Sequence, residues 1–69
     1  MDNYKDRFLA EYIELKERYK KLRKMCIKID AGTLEPPCQV HFLAEQKRIM
    51  EEYLNILEIR AEVEGIDLG

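Results

Sequence analysis

Between Lys16 and Lys28 the chain carries seven cations, Lys16, Arg18, Lys20, Lys21, Arg23, Lys24 and Lys28, against one acid, Glu17. The segment is therefore +6 in a protein of formal net charge −2, and the remainder is −8. A block of one sign on one stretch raises the local potential and draws anions, whether phosphates, nucleic acid or acidic protein. Part of the block has an ordinary role. Lysines near a helix C-terminus favour its dipole, and Glu45, Glu51 and Glu52 on an opposed helix can pair with some of the cations. Three acids cannot neutralise six charges, so a surplus is left.

Four of the six aromatic residues are tyrosines: Tyr4, Tyr12, Tyr19 and Tyr53. A tyrosine at a helix seam is usually a core residue with its hydroxyl at the rim, which is the ordinary place for Tyr12 and Tyr19. Tyr4 stands at a helix start where the ring is less covered, and a ring near cations can stack a base while the cations take the phosphates. Arg60 falls on an otherwise apolar surface, where its planar five-donor group calls for an acid or a phosphate. Glu58 or Glu64 of a neighbouring subunit is the ordinary partner. Thr33 is a loop hydroxyl that, at a helix end, can bond a phosphate, and His41 reads as a surface residue. Catalysis has little to draw on: there is one His, no Ser, no Gly-rich phosphate loop and no cluster of metal ligands. Cys26 and Cys38 flank the central loop and could pair, but in a reducing compartment they read as packing residues, and neither has the companions a zinc site needs. No cofactor, metal or enzymatic activity is expected.

The elements that must position these residues are two helices. With 38% charged residues, three Gly and two Pro in 69 residues, the composition suits long helices and disfavours a sheet. Phe8, Tyr12, Leu15, Tyr19, Leu22, Cys26 and Ile29 recur with alternating spacings of four and three, a heptad seam. Asp2 and Asn3 can cap this helix, Asn3 with Asp6 as a weak capping box. Gly32 should end it, and Pro36 and Pro37 prevent its continuation. The second helix then runs to Gly65, with Ile66 placed to fold back as the apolar partner of a Schellman cap. Its residues fall into neighbouring lines: Phe42, Ile49, Ile56 and Val63; Leu43, Met50 and Leu57; Leu54 and Ala61; and the polar row Gln46, Tyr53 and Arg60. An ordinary surface helix needs an apolar arc of about 100°. This one is wider, so one side is expected to meet the first helix and another a neighbouring subunit. The expected architecture is an all-α antiparallel two-helix hairpin, coiled-coil-like and oligomeric, as a single unit over 1–69: helix one about 4–30, loop about 31–38, helix two about 39–64. No stretch approaches the roughly 20 apolar residues of a membrane span or forms a signal peptide core, which points to the cytosol.

The run Asn3-Tyr4-Lys5, Phe8, Glu11-Tyr12, Glu14-Leu15-Lys16 and Arg18-Tyr19, then Ala31-Gly32-Thr33-Leu34 with Cys38, then Leu43, Glu45-Gln46, Met50, Tyr53-Leu54, Leu57-Glu58, Arg60-Ala61 and Glu64-Gly65-Ile66, resembles the small phage helical-hairpin proteins. That family includes crAss-like phage relatives and the anti-CBASS and anti-Thoeris sponges. The resemblance covers nearly the whole chain, although Gln39 stands where many relatives have Pro. It implies a non-enzymatic homo-oligomer, commonly a hexamer, acting in the cytoplasm of an infected bacterial host. Such proteins hold cyclic di- or trinucleotide or cyclic ADP-ribose-type immune messengers between subunits. Carried onto this chain, Tyr4 becomes the base-stacking ring, with Tyr12 beside it as a further ligand candidate. Lys24 and Lys28 become phosphate ligands, and Arg60 and Thr33 candidates for a pocket on a three-fold axis.

Two other classes compete. A purely structural module would use the wide apolar surface to dock a host or phage protein, with the basic block only aiding solubility. Direct nucleic-acid binding through residues 16–28 is disfavoured by the acidic remainder.

Overall fold

The computed structural model describes residues 3–69, so the expected cap Asp2 lies outside the described residues. Helix α1 spans Tyr4–Asp30 and helix α2 spans Val40–Glu64, and the described residues contain no strand. Asn3 is the N-cap of α1. Its backbone is extended, and its side-chain oxygen accepts the Asp6 N–H at 2.8 Å, satisfying one of the donors a helix start leaves free. Gly32, at φ +78°, closes the other end. The Thr33 N–H donates to the Lys28 carbonyl at 2.9 Å and the Gly32 N–H to the Ile29 carbonyl at 3.0 Å, the bond pair of a Schellman closure.

Helix α2 starts after the extended Gln39, which makes no side-chain cap bond. It ends at Gly65 in the left-handed conformation, φ +69°, with the Ile66 N–H on the Ala61 carbonyl at 2.8 Å. That reversal turns Ile66 inward. It is buried with Phe8, Tyr12, Leu54, Leu57 and Ala61, and Leu15, Tyr19 and Leu68 pack around this cluster. Toward the loop, Leu22 and Leu43 are the buried residues.

The helices run antiparallel. The Tyr12 hydroxyl donates to Glu58 at 3.0 Å and the Tyr19 hydroxyl to Glu51 at 2.5 Å, so numbers rise along one helix as they fall along the other. Every residue of the α1 seam is buried or half-buried, while Ile13 and Ile27 at its flanks stay open. On α2 the lines Leu43, Met50, Leu57 and Leu54, Ala61 turn toward α1, with Leu57 only 2% exposed. The line Phe42, Ile49, Ile56 and Val63 faces outward, 53–80% exposed. One α1 helix therefore covers about half of the apolar arc of α2, in a rod with extents of 44 × 21 × 17 Å.

Candidate ligand-binding site

Spacing of four residues on each helix builds the site at the terminal end of the rod. On α1, Tyr4 and Phe8 share a face one turn apart. Phe8 is a seam residue and buried, whereas Tyr4 is 47% exposed; their rings lie 6.2 Å apart and tilted by 55°. On α2, Arg60 and Glu64 are likewise one turn apart, and the Arg60 Nε donates to Glu64 at 3.2 Å. The antiparallel register brings these two pairs together. Arg60 Nη2 donates to the Tyr4 hydroxyl, and the guanidinium carbon lies 5.0 Å from the centroid of the Phe8 ring.

The guanidinium is thus fixed by a carboxylate, a hydroxyl and an aromatic ring, yet its side chain stays 47% exposed. The Glu64 bond is the main reason its proton is held more tightly than in a free arginine. Among the described residues Nη1 has no bonding partner. A rigid fork with spare donors, next to an open tyrosine ring, can take a phosphate and stack a planar base.

The polar row continues along α2. The Tyr53 hydroxyl donates to Glu11, a bond that raises the phenol pKa above its ordinary 10.0. Tyr19 is raised in the same way, chiefly by its bond to Glu51. Beside Arg60 lies an open groove of about 340 Å³, lined by Ile49, Glu52, Tyr53, Ile56, Leu57 and Arg60. This volume is of the size that holds a small ligand. A second cavity, by Cys26, Ile29, Val40 and Leu43 near the loop, is only about 80 Å³.

The expected site residues fall into three places. Tyr4 and Arg60 meet as described. Tyr12 is in the core, 5% exposed, with its hydroxyl on Glu58. Lys24, Lys28 and Thr33 are exposed at the loop end, where the Thr33 hydroxyl donates to the Lys28 carbonyl at 3.2 Å as part of the helix closure. Val40 and Arg60 are separated by about 30 Å of helix at 1.5 Å per residue. Within one chain, Thr33 and Arg60 therefore do not share a pocket.

Several ordinary roles are corrected. Glu45 and Glu52 do not reach the basic segment; Arg48 of their own helix holds them at 3.0 and 2.7 Å, and that bond lowers the Glu45 pKa. Glu51 accepts Tyr19 instead. Arg60 pairs with Glu64 of its own chain, without need of a neighbouring subunit. Among the described residues, none of the seven cations of 16–28 pairs with a carboxylate, although the Lys16 ammonium lies 5.4 Å from the centroid of the Tyr12 ring. Cys26 and Cys38 are free thiols. Cys38 is exposed, not packed. The His41 ring sits 4.1 Å from that of Phe42. Among the described residues no group of three His, Cys, Asp or Glu could hold a metal, and no helix is long and apolar enough to cross a membrane.

Two contributors were not singled out in the sequence: Phe8 as the platform for Arg60, and Glu11 as the partner of Tyr53. The spacing of Tyr4 and Phe8 was the available signal for the first. Nothing local marks the second, because Glu11 and Tyr53 meet only through the register of the two helices.

The family model described as Sequestin matches residues 2–63. No curated protein and no solved structure matches the chain.

Proposed function

The chain belongs to the Sequestin family, and from that premise we propose that it is a non-enzymatic phage anti-defence sponge. It sequesters a cyclic di- or trinucleotide or a cyclic ADP-ribose-type immune messenger between the subunits of a homo-oligomer, in the cytoplasm of an infected bacterium. The family's name speaks of sequestration. The observation that carries the reading is Arg60, clamped by Glu64, Tyr4 and Phe8 and still half-open beside an exposed ring. The site offers phosphate and base recognition. Lys24, Lys28 and Thr33, at the far end of the same rod, would join such a site from a second subunit.

A second reading has its own observation. The outward line Phe42, Ile49, Ile56 and Val63 would also suit a module that docks a host or phage protein.

A thermal-shift panel of cyclic dinucleotides, cyclic trinucleotides and cyclic ADP-ribose isomers separates the two. A ligand that binds only the folded state stabilises it by about 2.7 kcal/mol at one hundred times its dissociation constant. A sponge should show a clear rise in melting temperature with one class, and heating the complex should release the messenger unaltered. No shift across the panel sinks the sponge reading; recovery of a cleaved messenger makes the protein an enzyme.

A further inference from the structure

We infer that a cavity on the loop side of Tyr53 binds a free basic amino acid, a ligand with one carboxylate and two cationic groups. The cavity measures about 200 Å³ and is lined by Glu11, Glu14, Leu15, Arg18 and Tyr53. Tyr53 is the wall it shares with the groove beside Arg60, but neither Arg60 nor Tyr4 enters it, and the inference does not rest on the messenger. The volume falls below the roughly 300–1,000 Å³ of sites for drug-sized ligands. It suits an amino acid better than a nucleotide.

Helical spacing orders the groups. Glu11, Glu14 and Arg18 follow one another along α1 with about 4.5 and 6 Å of rise between them, and the half-buried Leu15 lies between the last two as an apolar floor. Arg48 and Arg60 each close on a carboxylate one turn away. Glu14 and Arg18 have the same spacing, in the order that favours pairing, yet among the described residues neither has a hydrogen-bond or ion-pair partner. Two opposite charges therefore stand open on one cavity. Glu11 is half engaged: its Oε1 accepts the Tyr53 hydroxyl, which fixes the ring and leaves Oε2 for another donor.

One guanidinium against two carboxylates leaves the walls at −1, and the complement is a ligand of charge +1. Its carboxylate takes the Arg18 fork with two bonds, and the α-ammonium beside it goes to Glu14. The side chain then lies along Leu15 and brings its own cation to Glu11 and the face of Tyr53. Other small ions leave a group unmatched. Phosphate meets two carboxylates, a diamine leaves Arg18 without an anion, and a neutral amino acid leaves Glu11 without a cation.

Amide chemical shifts of the full chain, titrated with L-arginine, test this. Saturable shifts should gather at residues 11–18 and at Tyr53. N-acetyl-arginine, argininamide and leucine should each bind about fivefold more weakly, the upper worth of an exposed ion pair. Equal binding of arginine and argininamide, tighter binding of putrescine or inorganic phosphate, or no saturable shift overturns the proposal. Two variants assign the contacts. Arg18→Gln should bring arginine down to the level of argininamide without weakening argininamide, and Glu14→Gln should bring it down to N-acetyl-arginine without weakening that form. Variants that keep their helix content and weaken every ligand alike overturn the inference; where helix content falls, the ligand series on the unsubstituted chain decides.

Discussion

Arg60 shows how one side chain can be both anchored and available. Its bonds to Glu64 and to the Tyr4 hydroxyl, together with the Phe8 ring, remove most of the rotamer freedom that a long side chain otherwise loses on binding. Two consequences follow at this scale. On the proposed sponge reading, Arg60→Ala should weaken messenger binding roughly tenfold to a hundredfold, since a charge-assisted bond is worth about 1.5–3 kcal/mol. Arg60→Lys should recover only part of it, because an ammonium cannot reproduce the fork. Tyr4→Phe keeps the ring and should bind far better than Tyr4→Ala, as stacking on a base is worth about 1–3 kcal/mol. Calorimetric titration reads these differences. Light scattering should show assembly size unchanged in all of them, and a collapse of the oligomer would return Tyr4 and Arg60 to a structural role.

The two helices hold that site through a narrow core, and here the end signals and the packing contribute differently. Leu57 is the most enclosed side chain, against α1 and under the reversed Ile66. Leu57→Ala should cost about 2–5 kcal/mol, which is comparable to the whole stability a core of this size supplies, about 3–5 kcal/mol. Gly65 has open space around it and φ +69°, so Gly65→Ala meets no clash and carries only the left-handed backbone penalty, about 1–2 kcal/mol. Urea denaturation followed by circular dichroism should rank the two in that order. The opposite ranking would mean that the helix end, not the apolar cluster, limits stability. The end signals were legible in the sequence because they are local: Asn3, Gly32 and Gly65 act within five residues of themselves. The ion pairs were not. Arg48 lies within one turn of both Glu45 and Glu52, and pairing inside a helix closes no loop and orders little extra chain, so it prevails over a partner across the hairpin.

For the molecule as a whole, the hairpin leaves one face of α2 in water. In the proposed homo-oligomer, association supplies the missing apolar burial, so the melting temperature should rise with protein concentration. Ile56, 53% exposed and outside the core, gives the control. Ile56→Asp should leave the helices intact, lower the melting temperature and remove its dependence on concentration; scanning calorimetry across a hundredfold dilution measures both. A wild-type midpoint indifferent to dilution, with a monomer mass, would show the open face to be an end in itself.

The all-α class and the hairpin were written in the linear pattern, since heptad spacing states directly which side of each helix avoids water, and Gly32 with Pro36 and Pro37 states where the chain must turn. Tyr4 and Arg60 were also singled out from residue type. Their meeting was not, and neither was the place of Phe8 under the guanidinium. Those depend on the register in which one helix lies along the other, which a slide of a single turn would change without altering either helix's own pattern. Periodicity names the faces; only packing across the interface, with Phe8, Leu57 and Ile66 enclosed together, decides which residues on them become neighbours.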